Sequence, residues 1–251
     1  MAIRADAACL CVTGRVRKNN EDNFLFAGQH LEKGNSGLNA PLRFHGRVHR
    51  GAWFAVLDGM GGERFGDDAS HAAAVQLAAE KYGLRELLRP AEDLLAQAVE
   101  RLNRAVVDEA NTLATAHMGS TLAALYFDGK AAWSCNLGDS PVFLLRDGGL
   151  VQISKDHVSS RPTRGKPALT QHLGIDPEEM AVEPHLARQE LQSGDVFLIC
   201  SDGITDMVPR PRIQQLLTGA ADPAAAVTAL VDCAMEAGGR DNATALVIRI
   251  L

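Results

Sequence analysis

No apolar run in this chain approaches the ~18 residues that a membrane-spanning helix needs, which argues against a helical membrane protein. The opening Met1-Ala2-Ile3-Arg4-Ala5-Asp6-Ala7 has no apolar core of the signal-peptide kind, so the protein is expected to be soluble and unexported. Basic charge is in short supply: 25 Lys and Arg stand against 31 Asp and Glu, a net charge of −6. Affinity for a phosphate backbone rests on clustered Lys and Arg, so a nucleic-acid binder is set aside. The five cysteines, Cys9, Cys11, Cys135, Cys200 and Cys233, mostly sit inside apolar stretches, with neither Cys-x-x-Cys spacing nor a neighbouring His. They read as reduced, buried thiols of a cytoplasmic protein. A Walker-type nucleotide loop is missing too, since Gly59 to Gly62 runs into Glu63-Arg64 and not Gly-Lys-Ser/Thr.

What the chain does have is apolar residues enough for a large core, 46% of the total with 22% charged. With 251 residues and neither repeats nor a linker, residues 1–251 are expected to form a single domain. Short β-rich runs bounded by turn residues occupy 8–12, 52–57, 120–127, 130–137, 141–146, 150–153, 195–200 and 243–250. Asp128-Gly129 and Asp147-Gly148-Gly149 fall between such runs as tight turns, so 120–153 reads as one antiparallel meander. Helical spacing covers 68–82, stopped at Gly83, and 91–114, where Leu95, Val99, Leu102, Val106, Ala110 and Leu113 recur at three and four. A third helix starts at the Asp222-Pro223 cap and runs to Glu236. Residues 28–50 and 157–190 are expected to be surface loops. Blocks of strands and blocks of helices, without βαβ alternation, predict an α+β fold with helices outside antiparallel sheet.

The chemistry is carried by acids beside small residues. Asp58 and Asp202 each close a long apolar stretch, in Phe54-Ala55-Val56-Leu57-Asp58-Gly59 and Phe197-Leu198-Ile199-Cys200-Ser201-Asp202-Gly203, and Asp241 lies in Gly238-Gly239-Arg240-Asp241-Asn242. An Asp one step past a buried strand is held rigidly yet reaches solvent, with glycine beside it permitting close approach. Glu21, Asp22, Asp139 and Asp206 extend the set. Any lone Asp-Gly is mostly turn chemistry, and Asp147-Gly148 is a turn and nothing more. Carboxylates brought together repel and need a cation, and an oxygen-only set without His or Cys points to Mg²⁺ or Mn²⁺ rather than Zn²⁺. A water acidified by such ions, especially by two about 3.5–4 Å apart, is a nucleophile at neutral pH. Arg17, four residues before Glu21, can hold a phosphate through paired hydrogen bonds; alone it would be an ordinary surface arginine.

Taken in order, Arg17-x-x-x-Glu21-Asp22, Asp58-Gly59-Met60-Gly61-Gly62, Gly119-Ser120-Thr121-Leu122, Gly138-Asp139-Ser140, Asp156-His157, Ser201-Asp202-Gly203-Ile204-x-Asp206 and Asp241-Asn242-Ala243-Thr244 resemble the motifs of bacterial type 2C metal-dependent serine/threonine protein phosphatases, across about Ala7 to Ile250. The resemblance implies a four-layer αββα sandwich with metals in a cleft at one end of the sheets. It implies that Asp58 bridges two Mg²⁺ or Mn²⁺ ions, that the Gly59 carbonyl binds one, and that Asp202 and Asp241 bind the other. Glu21 and Asp22 would act through metal-bound waters or support the site, and Arg17 would grip the substrate phosphate. A third, weaker metal would fall to Asp139 with Asp202 or Asp206. The implied activity is attack of metal-activated water on phosphoserine and phosphothreonine in proteins, opposing a bacterial Ser/Thr kinase, by a monomer in the cytoplasm.

Met60 stands where animal-type members carry a His, as is usual in bacterial ones, so the leaving group takes its proton from water. Cys200 lies inside an apolar strand, which argues against a cysteinyl-phosphate route. His157 is expected to make a structural hydrogen bond. Arg161, Arg164 and Lys166, in a flap at 157–172 that looks short for a bacterial member, are expected to contact acidic phosphopeptides. Two other readings stay open: a phosphatase-fold binding or sensing module, and a metallophosphoesterase of small phosphates.

Overall fold

Strand β1 (Ile3–Val12) alternates small side chains between two apolar layers: Ala5, Ala7, Cys9 and Cys11 face one, Ala8 and Leu10 the other. Both faces of a strand are apolar only when both are covered, and this strand belongs to the middle of a sandwich. The computed structural model describes residues 3–61, 65–115, 117–160 and 166–251. With elements numbered in chain order, one sheet runs β3 (Leu42–Val48), β1, β12 (Ala243–Ile250), β11 (Val196–Cys200), β8 (Val142–Arg146), β9 (Gly149–Gln152). The other runs β10 (His185–Glu190), β7 (Ala131–Leu137), β6 (Leu122–Phe127), β4 (Ala52–Met60), β2 (Asp22–Leu25), and the short β5 (Gly119–Ser120) pairs with the end of β4. Every pairing is antiparallel.

Helices α1 (Gly66–Ala79) and α3 (Ala91–Thr112) cover the outer face of the second sheet, where Leu77, Leu95, Leu102 and Val106 meet Trp53, Leu57 and Tyr126. Helices α5 (Arg210–Gly219) and α6 (Pro223–Glu236) cover the first, where Ile213, Leu217, Val227 and Leu230 meet Leu10, Leu198 and Val247. Two short helices, α2 (Leu84–Leu87) and α4 (Asp202–Thr205), complete the described set. The predicted α+β, four-layer αββα order is therefore present. The α6 start is as the dipeptide suggests, with the Asp222 carboxylate accepting from Ala225 N at 2.7 Å.

Several boundaries differ. The 120–153 stretch is not one meander: β6 and β7 pair in one sheet, whereas β8 pairs with β11 and β9 in the other. The chain changes sheets at Gly138–Pro141, which no hairpin signal distinguishes. Residues 28–50 are not only loop, because β3 lies there as an edge strand whose Arg43, His45 and Arg47 face solvent between partly buried Leu42 and Phe44. Likewise β10 ends the 157–190 stretch as a polar edge strand. Edge strands keep one face wet, so their composition hides them. Helix α5, with proline at its start and Ile213 and Leu217 as its buried residues, is a further element that periodicity missed. The helices expected at 68–82 and 91–114 end two or three residues earlier, at Ala79 and Thr112.

Candidate metal centre

The layer between the sheets is apolar along most of its length. Phe24, Phe54, Val56, Leu125, Val142, Phe197, Ile199, Leu246 and Ile248 pack there. At one end the same strand faces continue as Asp22, Asp58, Thr121, Ser140, Ser201 and Thr244, each two residues from a core-facing neighbour. Period-two alternation thus makes the polar end an extension of the core. Asp58 N donates to Thr121 Oγ1 at 3.0 Å, Thr121 and Ser140 share a hydroxyl contact of 2.8 Å, and Thr121 N donates to Asp58 O at 2.9 Å. Asp58 is therefore not one step past its strand, as expected; β4 continues to Met60 because β5 pairs with Gly59 and Met60.

Asp22 is fully buried and stands opposite Asp58 in the β2–β4 register. Its Oδ2 accepts from Ser201 Oγ at 2.7 Å and Thr244 Oγ1 at 2.6 Å, while its Oδ1 has no hydrogen-bond partner among the described residues. Burial pushes its pKa up to about 7, against the two hydroxyl hydrogen bonds and with help from Asp241 and Glu21. Asp58 is also raised, by loss of solvent first and then by Asp22, Asp241 and Asp139, with Lys166 opposing. Part of its surface stays open to solvent, since it stands at the mouth of the gap. Glu21, half-buried, is raised by burial, which outweighs Arg17.

Glycine shapes the rim. A Cβ on Gly59 would lie 1.9 Å from Gly66 O and 2.6 Å from Glu21 O, and one on Gly66 would lie 2.8 Å from Glu21 Oε1. Three chain segments can converge there only because two side chains are missing. Asn242 locks the same corner: its Oδ1 accepts from Glu21 N at 2.8 Å, and its Nδ2 donates to Thr13 O and Asn19 O at 2.7 and 2.9 Å. Asp241, just before β12, accepts from Arg17 Nη2 at 2.7 Å. That places Arg17 beside Asp241 at the rim.

Asp202 opens α4 and is almost fully buried; Asp139 lies between β7 and β8, and Asp206 follows α4 with more than half of its side chain exposed. Lys166 brings the three together. Its Nζ contacts Asp202 Oδ2 and lies 3.6 Å from both Asp139 Oδ2 and Asp206 Oδ2. The expectation that Lys166 faces substrate is therefore corrected: the lysine turns inward, toward the strongest local negative charge. Arg161 and Arg164 lie outside the described residues.

An oxygen-only donor set, the partnerless buried Asp22 Oδ1 behind it and the raised pKa of Asp58 fit hard divalent cations at Asp58, Asp202, Asp241 and the Gly59 carbonyl. Among the described residues no three His, Cys, Asp or Glu side chains already converge on one point. Arg17 and Lys166 stand between the acids. In the set expected to take a third ion, Asp139, Asp202 and Asp206 all face the Lys166 ammonium.

Two expectations on neighbouring groups resolve differently. Burial pushes the Cys200 thiol well up, consistent with an inert core residue. The His157 ring has no hydrogen-bond partner at Nδ1 among the described residues, and its backbone makes the anchor instead, donating from N to Gly138 O at 2.9 Å. Roles for Thr121, Ser140, Ser201, Thr244, Asn242 and Gly66 were not read from the sequence. Extending the strand alternation two residues past each apolar run would have found the four hydroxyls.

A family model described as protein phosphatase 2C matches residues 42–237. The chain is 32% identical over 260 aligned residues to the serine/threonine protein phosphatase PstP of Mycobacterium tuberculosis, covering 95% of this chain and 43% of that protein. It thus spans under half of that relative's length. Among solved structures, PppA, a key regulatory component of the T6SS in Pseudomonas aeruginosa, superposes with a TM-score of 0.78 at 29% identity, covering 98% of each chain. The catalytic domain of a serine threonine protein phosphatase PstP in complex with two manganese ions gives 0.72 at 29% identity, covering 99% of each chain.

Proposed function

This chain belongs to the protein phosphatase 2C family, and we propose that it is a metal-dependent protein phosphatase acting on phosphoserine and phosphothreonine. The observation that carries the reading is the buried Asp22 paired in register with the partly open Asp58, with Glu21, Asp202 and Asp241 nearby and only Arg17 and Lys166 to counter them. So many acids beside so few bases need divalent ions, and the two manganese ions of the PstP relative agree with that. Asp58 would hold both ions, the Gly59 carbonyl one, and Asp202 and Asp241 the other, with Mg²⁺ or Mn²⁺ as the metal. Such ions supply acidified water and charge neutralisation at phosphorus.

The chain's own residues do the rest. Asp22, held by Ser201 and Thr244, buttresses Asp58 from behind. Glu21, fixed through its backbone by Asn242, presents its carboxylate at the rim. Arg17 shares a substrate phosphate with Asp241 in reach, and its planar donors suit the equatorial oxygens of the reacting group. Residues 1–251 act in this reading as one phosphatase domain, a monomer whose partners are phosphorylated proteins and an opposing Ser/Thr kinase.

A protein substrate is favoured over a small phosphate by the space beside the acids. An open cleft of about 430 Å³ lies against Arg17 and Glu21, lined also by Val16, Lys18 and Asn19. It offers room for the residues that flank a phosphorylated side chain. The test is Mn²⁺-dependent release of phosphate from a phosphothreonine peptide, compared with Asp241→Asn and with EDTA. Activity is expected to require the metal and to collapse in the variant; full activity in EDTA would overturn the reading.

A further inference from the structure

We infer that Lys166 is a built-in cation for the outer carboxylates Asp139, Asp202 and Asp206, so that this chain works with two divalent ions and an ammonium in place of a third ion. The inference rests on the two-ion reading above and adds to it. A lysine ammonium carries three N–H donors and no acceptor, and three carboxylates face this one: Asp202 in contact, Asp139 and Asp206 each at 3.6 Å. The lysine is placed by its own segment rather than by chance reach. His157 N donates to Gly138 O at 2.9 Å, one residue from Asp139, and Thr170 N returns to His157 O at 2.8 Å. Ser159 N donates to Ala168 O at 2.8 Å, and Val158 bridges Leu169. These bonds fold the two arms back to back, with Lys166 beyond them above Asp139 and Asp202.

Charge makes the same point. Glu21, Asp22, Asp58, Asp139, Asp202, Asp206 and Asp241 are all acids of one end of the molecule, and Arg17 and Lys166 are the bases paired with them. Two divalent ions with these two bases leave the fully ionised set within one charge of neutral. Removing Lys166 leaves Asp139 and Asp206 without their counter-charge, so the outer set then gains affinity for a further cation. The ammonium sits on Asp202 Oδ2 and leaves Oδ1 to the second ion, whereas a further divalent ion on Asp139 and Asp206 would need the oxygens that the ammonium faces, because Mg²⁺-type ions demand oxygen ligands at about 2.0–2.1 Å on all sides. The side chain is about half exposed, at 47%, so it exchanges with solvent and competes with added metal by mass action.

The test counts bound Mn²⁺ by electron paramagnetic resonance and equilibrium dialysis on the full chain, for the parent, Lys166→Met, Lys166→Arg and the double variant Lys166→Met with Asp139→Asn. The parent and Lys166→Arg are expected to hold two ions. Lys166→Met should hold a third, with outer-site affinity raised at least tenfold, and the double variant should lose it again. Thermal unfolding shows whether each variant is folded, and Lys166→Arg keeps the comparison available if Lys166→Met is not. A parent that holds three ions at the same Mn²⁺ concentrations, or Lys166→Met indistinguishable from it, overturns the inference. A parent that holds no Mn²⁺ overturns the two-ion reading itself, and with it this one.

Discussion

Asp22 and Asp58 face each other in register across β2 and β4, and the buried Asp22 carboxylate helps to raise the pKa of Asp58 at the polar end of the gap between the sheets. Two like charges so placed destabilise the fold until a cation joins them. Asp58→Asn is therefore expected to raise the melting temperature of the protein in EDTA while removing its response to Mn²⁺. In the parent, Mn²⁺ at a hundred times its dissociation constant should add about 2.7 kcal/mol, and in the variant almost nothing. Calorimetry with and without metal reads both effects; a variant that still gains the full increment contradicts the assignment of Asp58.

Gly59→Ala tests the rim. Its Cβ would lie 1.9 Å from Gly66 O, a backbone atom that cannot step aside without moving the start of α1. A cost of about 3 kcal/mol is expected, with loss of phosphatase activity, because the Gly59 carbonyl and Glu21 move together. Chemical denaturation measures the cost. Gly148→Ala, in an open turn with φ of 77°, should leave activity intact and serves as the control.

Arg17 is half exposed and spends one guanidinium nitrogen on Asp241. Its loss should therefore be felt by substrate more than by the fold. Arg17→Ala is expected to lower kcat/KM for a phosphopeptide by about 10- to 100-fold, the worth of a hydrogen bond to a charged group. Melting temperature should change little. Arg17→Lys restores charge without paired donors and should recover only part of the loss. Equal kinetics in all three proteins would remove Arg17 from phosphate binding.

Far from the site, Glu80 carries a bidentate pair with Arg101, at 2.8 and 2.5 Å, with only 4% of its side chain exposed. Burial alone would raise its pKa, but Arg101 more than offsets this and holds the carboxyl below its ordinary value of 4.5. A lowered folded-state pKa contributes stability above 4.5, lost as pH falls through the folded value. Arg101→Ala is expected to cost about 2 kcal/mol at neutral pH, since it strands a buried carboxylate. The gap between parent and variant should close on acidification below the carboxylate range. A gap independent of pH would mean that Arg101 acts by packing.

The amino-acid sequence by itself determined the α+β class, the α6 cap, the α3 stripe and the acids that ring the site, because each depends on neighbours within a few residues. Asp222-Pro223 makes its cap wherever the helix docks, and Leu95, Val99 and Leu102 share a face at any packing angle. Tertiary structure alone decided which acids are buried, since Asp22 is enclosed by residues far along the chain, among them Ser201 and Thr244, whose hydroxyls donate to its carboxylate. It also split the 120–153 hairpins between two sheets and turned the α5 segment into a helix by docking Ile213 and Leu217. Lys166 makes the difference plainest. In the sequence it is one base in a loop, and with the hydrogen bonds that join 157–159 to 168–170 its ammonium lies among three carboxylates, where Coulomb attraction at close range settles its place.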